Sequence, residues 1–238
     1  MNKISQFISM VMPVYNEADV VEEVVKSFSL ILDKFEDSEF IIVDDKSTDN
    51  TLKILYSLKK IYPNLRIIEQ EKNQGHGASL IRAYKESCGE YIFHCDSDNQ
   101  FFAEDFWLLW DQMEKSGNDI VIGYRKKRHD PFSRLLLTHL VQYFHILFFG
   151  VWLVDSNSPF KIYKRKVLDE LLSLMPEKPL LPSILMAVGA VNKKIKIDWV
   201  VVRHKPRLTG LSFIRGWKIF KISGKGIKEM WQFRKSLK

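Results

Sequence analysis

The feature that most constrains this chain is a regular alternation in its first half. Short β-branched and aromatic runs at residues 8–14, 40–43, 65–68, 91–93 and 119–122 are separated by stretches of helical periodicity at 19–32, 49–61, 78–87 and 104–115. The runs lack in/out alternation, which suits strands covered on both faces. Strand then helix at this spacing predicts an α/β fold with a mostly parallel, doubly wound sheet and helices on both faces. In such sheets ligands bind beyond the carboxyl ends of the strands. The 238 residues suffice for one such domain, and 46% hydrophobic with 27% charged residues excludes a disordered, collagenous or disulfide-framework chain.

The predicted strand ends carry the chemistry. The first runs into Pro13-Val14-Tyr15-Asn16-Glu17 and the second into Asp44-Asp45-Lys46-Ser47-Thr48-Asp49. The third delivers Asn73-Gln74-Gly75-His76-Gly77, and the fourth Asp96-Ser97-Asp98-Asn99-Gln100. Carboxylates gathered at one sheet edge repel unless a cation joins them, and two at i and i+2 after a strand can turn toward one hard divalent ion. Asp49 reads as a cap for the following helix. The Asp44-Asp45 pair exceeds what a cap needs, so one of them is expected to hydrogen-bond a base or a ribose hydroxyl. Gly75-His76-Gly77 is open between a ligand loop and a tight entry to a helix. His94 and Cys95 have no second ligand pair for zinc and read as core.

The charge is located as well as large. The net +7 sits in residues 213–238, where eight basic residues meet the single acid Glu229; the first 212 residues balance at 28 basic and 28 acidic. That divides the chain into a globular domain at 1–212 and a basic amphipathic segment at 213–238, and a cationic end of this kind seeks an anionic surface. Arg215, Lys218, Lys221, Lys225 and Lys228 recur at helical spacing among Ile214, Trp217, Phe220, Ile227, Met230 and Trp231, as in a helix lying on anionic lipid. Gly224 and Gly226 are expected to weaken it or split it in two. Residues 135–154 are long enough to span a membrane, yet Thr138, Gln142 and His145 form a polar stripe. That suits a helix at an interface or packed on the domain. Two cysteines and a short, proline-broken apolar start point to a reduced, cytoplasmic setting without a signal peptide.

The motif series at 12–17, 42–49, 73–78 and 96–100 resembles family 2 glycosyltransferases. Gly123-Tyr124-Arg125, Ser133-Arg134, Asp155-Ser156-Asn157-Ser158-Pro159-Phe160 and the segment from Arg207 to Ser212 resemble their dolichol-phosphate mannosyltransferase branch. The resemblance covers residues 8 to 212. It implies a GT-A (Rossmann-like) fold, a GDP- or UDP-linked sugar as donor, and Mg²⁺ or Mn²⁺ as cofactor. On this resemblance Pro13, Tyr15, Glu17, Val43 and Asp45 hold the nucleoside. Asp96 and Asp98, with Gln100, bind the metal, beside Ser97. Arg125 and Arg207 reach the diphosphate, and Arg128, Ser133 and Arg134 approach an acceptor phosphate. Lys46 departs from the usual glycine, and Phe213 stands where the pattern has a lysine.

The implied reaction is an inverting, metal-dependent transfer to a polyprenyl phosphate, dolichyl or undecaprenyl, on the cytoplasmic face of a membrane. Asp98 and Arg125 would serve the leaving group. Implied partners are the donor, the lipid phosphate and an anionic membrane surface, and the resemblance leaves room for a separate membrane subunit; no nucleic acid is expected. The alternative is a hydroxyl acceptor in polysaccharide or glycolipid synthesis. It needs a carboxylate base, for which Asp155 is the candidate, although Asp155 reads equally as a cap or turn residue. A nucleic-acid-binding tail on an inert domain ranks last, because it leaves the acidic strand ends without a purpose.

Overall fold

A computed structural model describes residues 3–125, 146, 153–206 and 217–237, with side chains of 217–223 excluded. Seven strands form one sheet: β1 (Ile8–Val14), β2 (Ser38–Asp44), β3 (Leu65–Glu69), β4 (Tyr91–His94), β5 (Ile120–Arg125), β6 (Lys161–Lys164) and β7 (Ile197–Val202), in the order β3-β2-β1-β4-β6-β5-β7. β1 pairs in parallel with β2 (Ile8 opposite Ser38) and with β4 (Ile8 opposite Tyr91). β3 and β7 add parallel pairs at the two edges, and only β6 runs against its neighbours β4 and β5. Pro13 has no N–H to give the ladder. It lies beyond the last β1–β4 pair, Val11 opposite His94, where β4 has already ended.

The central strands bury both faces, as their unbroken apolar runs require; every residue of β1 is buried. On one face α1 (Val21–Leu32), α2 (Thr51–Lys59) and α4 (Phe106–Ser116) enclose a cluster around Phe28, Phe93, Phe106 and Phe160. On the other, α3 (His76–Glu86), α5 (Arg165–Leu174) and α6 (Pro182–Asn192) cover Val11, Ile41, Ile92 and Ile122. The doubly wound α/β reading therefore holds. Beyond residue 122 the sequence suggests only helical segments at 135–154 and in the basic tail; among the described residues the structure bears out a helix in the tail and adds β6, β7, α5 and α6.

The C-terminal helix α7 (Trp217–Ser236) runs unbroken, contrary to the expectation that Gly224 and Gly226 would split it. Gly226 is instead a point of close approach: a Cβ there would stand 2.9 Å from Leu181 Cδ1. Met230 and Phe233 are buried against Leu153, Leu185 and Val188. That packing offsets a glycine penalty of about 1 kcal/mol per residue. The tail is thus continuous with the core on one face. Its proposed start at 213 lies outside the described residues, as do Phe213 and nearly all of 135–154.

Phe93 ties the first cluster together, with ring centroids 5.7 Å from Phe28, 5.0 Å from Phe106 and 4.9 Å from Phe160. Phe93→Ala is expected to cost about 3–5 kcal/mol in urea unfolding, because a sealed three-sided site cannot collapse around the void. A loss under about 1 kcal/mol would show that the cluster repacks freely.

Candidate active site

The parallel strands end together, and their turns enclose a cleft of about 710 Å³. Pro13, Tyr15 and Glu17 enter from the end of β1, and Asp45 from the end of β2. Asn73, Gly75, His76 and Ser79 enter from the start of α3, and Asp96, Ser97 and Asp98 from the end of β4. The turns are locked to one another. Asn16 N–H donates to Ser47 Oγ (3.0 Å), Thr48 N–H to Asn16 Oδ1 (2.7 Å), and Glu17 N–H to Thr51 Oγ1 (2.9 Å). The Asp49 carboxylate accepts from Ala18 and Thr51 N–H, joining the first two turns at the start of α2. Asn16 and Asn99 take positive φ at 54° and 55°, which asparagine tolerates. Lys46, in the usual glycine position, is held at φ 65°, a conformation costing a lysine about 1–2 kcal/mol.

Asp45 lines the cleft, yet both its oxygens are engaged by backbone: Gln74 N–H at 2.7 Å and Gly75 N–H at 2.8 Å. It shapes the entry to α3. Gly75 there adopts φ 89°, left-handed space that suits glycine. Val43 is fully buried under α3 and does not line the cleft, since its place in β2 turns its side chain into the core. Gln100 also stays out of the lining; its side-chain amide donates to Lys205 O at 3.2 Å. Arg128, Ser133, Arg134 and Arg207 lie outside the described residues.

Asp96 is the electrostatic centre of the cleft. Its Oδ1 is buried with no aligned hydrogen bond, although His94 Nε2 stands 3.4 Å away and His76 Nε2 3.9 Å. Burial alone would raise this carboxyl, but the His76 and His94 imidazoles and the Lys161 ammonium outweigh it and bring it down to about 2. His94 is fully buried edge-on to Tyr84, and that burial pushes its pKa down to about 4. The core reading of His94 and Cys95 therefore stands. An ionised carboxylate two residues from a second carboxylate in the same cleft fits a hard cation. Among the described residues no three His, Cys, Asp or Glu side chains surround one metal position. A site of one or two carboxylates suits an ion that keeps waters and takes substrate phosphates, as Mg²⁺ does. Opposite lies the first turn of α3, whose N–H groups carry the positive end of a helix dipole, with the buried Ser79 hydroxyl unpartnered beside it.

Arg125 and Asp155 meet each other. Arg125 Nε donates to Asp155 Oδ2 at 2.9 Å and Nη2 to Oδ1 at 3.0 Å, with side chains 13% and 3% exposed. Next to them Lys161 is buried in β6, opposite His94 across the strand pair, and burial pushes its ammonium down to about 8 against the pull of Asp155 and Asp96. Sequence reasoning missed Lys161 because a lysine in so short a polar segment signals no buried strand. It also left His76 and Ser79 without a role.

The model of the family described as "Glycosyl transferase family 2" matches residues 9–172. The chain belongs to glycosyl transferase family 2. Relatives of this family 2 chain include a poly(ribitol-phosphate) beta-glucosyltransferase of Bacillus spizizenii, 40% identical over 68% of this chain and 26% of that protein. A dodecaprenyl-phosphate galacturonate synthase of Rhizobium johnstonii is 27% identical over 86% of this chain and 61% of its own length. A dolichol-phosphate mannosyltransferase of Pyrococcus furiosus is 32% identical over 55% and 38% respectively. The chain thus spans between 26% and 61% of these three relatives. The solved structure of glucosyl-3-phosphoglycerate synthase from Mycobacterium tuberculosis, in complex with Mn²⁺, UDP and glucosyl-3-phosphoglycerate, superposes with a TM-score of 0.68. It covers 97% of this chain and 80% of that one at 19% identity, a likeness of fold, and the fold of this glycosyltransferase is GT-A. Among the described residues no helix is long and apolar enough to cross a membrane.

Removing one partner of the buried Arg125–Asp155 pair leaves an uncompensated charge. Asp155→Ala should lower stability by about 3–5 kcal/mol in urea unfolding. Unchanged stability with lost turnover would instead mark Asp155 as a chemical group.

Proposed function

We propose that this glycosyltransferase moves a sugar from a nucleotide-sugar to a polyprenyl phosphate at a membrane surface. The observation that carries the reading is the cleft itself, where the ionised Asp96 and its neighbour Asp98 share one space with the start of α3. The nucleoside lies against Pro13, Tyr15 and Glu17, with Asp45 holding the loop that closes over it. The diphosphate lies between Asp96 and Asp98 on one side and the α3 N–H groups on the other. A Mg²⁺ or Mn²⁺ ion held by Asp96 and Asp98 would neutralise the charge that builds on the departing diphosphate. Arg207 adds hydrogen bonds to the same oxygens, and Arg128, Ser133 and Arg134 receive the acceptor phosphate.

A phosphate acceptor, with a second pKa near 6, is already ionised at neutral pH and needs positioning rather than a base. The state of Asp155 supports that choice. Both its oxygens take hydrogen bonds from Arg125, so a base role would require the pair to open. Displacement is then a single in-line step in which the acceptor oxygen bonds the anomeric carbon as the nucleoside diphosphate leaves, with inversion. The hydroxyl-acceptor alternative draws its support from the poly(ribitol-phosphate) relative.

Membrane contact is assigned to α7. Lys225, Lys228, Arg234 and Lys235 are exposed, and Trp231 is 48% exposed, while Met230 and Phe233 face the core. Basic residues around an exposed tryptophan suit the cytoplasmic, anionic leaflet.

The test is transfer from radiolabelled GDP- and UDP-sugars into extractable polyprenyl phosphate in phosphatidylglycerol-containing vesicles, with Mg²⁺ or EDTA. Label in the lipid phase is expected only with metal, falling about 100-fold in Asp98→Ala. Label in a soluble hydroxyl acceptor alone would move the assignment to the alternative. Protein that sediments equally with neutral vesicles would remove the role given to α7.

A further inference from the structure

The one acid in the basic C-terminal segment is not placed for surface charge. Both Glu229 carboxylate oxygens accept backbone hydrogen bonds, from Leu180 N–H at 2.8 Å and Leu181 N–H at 3.0 Å. Those two residues lead directly into α6, which opens with Pro182. A carboxylate at this point satisfies donors that a helix start leaves unpaired and meets the positive end of its dipole.

The loop it holds is in turn a wall of the active cleft. A Cβ on Gly77 would lie 1.8 Å from Pro179 O and 3.4 Å from Pro182 Cδ, so the first turn of α3 rests directly on the carbonyl just before the two bonded amides. The same turn carries Gly75, His76 and Ser79 into the cleft. On its far side the loop is gripped a second time, by Leu181 against Gly226 of α7. A continuous series of contacts therefore runs from α7 through residues 179–182 to the donor side of the site.

We propose that Glu229 is a positioning residue: it fixes the 179–182 loop as a backstop for the first turn of α3, and so sets the donor-binding geometry from the C-terminal helix. The inference rests on the reading of the cleft as a nucleotide-sugar site, and it gives α7 a task in addition to any surface it touches. Because the hydrogen bonds are made to backbone, the loop's own side chains can vary without loss of the link. Glu229 cannot be shortened or neutralised without loosening it.

The experiment is hydrogen exchange by mass spectrometry on the full chain, comparing wild type with Glu229→Ala, Glu229→Gln and a control at the exposed Gln232, Gln232→Ala. The hydrogen-bonded amides at the entry to α3, those of Gln74, Gly75 and Ser79, should exchange about ten times faster in Glu229→Ala and to an intermediate degree in Glu229→Gln, which keeps one acceptor. Amides of β1 and the control protein should not change. Unchanged exchange at α3, or a speed-up shared equally by β1, overturns the proposal; should Glu229→Ala not fold, Glu229→Gln alone decides by the same criteria. Calorimetric titration with UDP and GDP supplies the second readout. Affinity several-fold weaker in Glu229→Gln supports the proposal and equal affinity counts against it. A wild-type chain that binds neither nucleotide would remove the reading of the cleft, while the exchange result still decides whether Glu229 positions α3.

Discussion

Because β1 pairs in parallel with β2 on one side and β4 on the other, three strands must leave the sheet at one edge, and each must turn back there. Every such turn exposes N–H groups that no ladder satisfies, and it brings the polar residues of three distant segments within one cleft. The interlocking bonds from Asn16 to Ser47 and Thr48, and from Asp45 to Gln74 and Gly75, answer that demand. The site is therefore a product of strand direction before it is a product of any single side chain. Reversing one pair would disperse the same residues to opposite ends of the domain.

Within that edge the acids separate by what they touch. Asp45 and Asp49 hold backbone, and Asp155 holds Arg125. Asp96 is different because imidazoles and an ammonium surround it without completing a hydrogen bond to Oδ1. The neighbouring Lys161 in β6 is a buried cation between the Asp96 and Asp155 carboxylates.

Much of this was legible in the sequence. The β-branched runs marked five strands because burial on both faces leaves an unbroken apolar signal, and Asp96-Ser97-Asp98 stood out because acids directly after such a run have few structural uses. β6 was illegible for the opposite reason: its four residues, Lys161–Lys164, begin and end on lysine, and only tertiary contacts bury the first. Val43 and Gln100 were placed in the site by resemblance, while the register turns one into the core and Lys205 engages the other. The glycines of α7 suggested a break because propensity is a local quantity, whereas the close approach of Leu181 to Gly226 is not. Pairings such as Arg125 with Asp155 join segments thirty residues apart, and no local pattern announces them.

The antiparallel insertion of β6 has a consequence for the order in which the molecule is built. Among the described residues β5 is flanked only by β6 and β7, both of which come later in the chain. A nascent chain that has emerged as far as Arg125 can assemble β1 to β4 into a parallel half-sheet, but its fifth strand has no neighbour to join. The free edge of β4 waits as well, until Lys161–Lys164 arrives to fill the gap between them. Synthesis from the amino terminus at about 5–20 residues per second leaves that gap open for seconds. An open sheet edge of this kind is where chains pair with the wrong partner. The strands whose turns line the cleft can thus pair early, whereas closure of the sheet and the seating of residues 179–182 against α3 are late events.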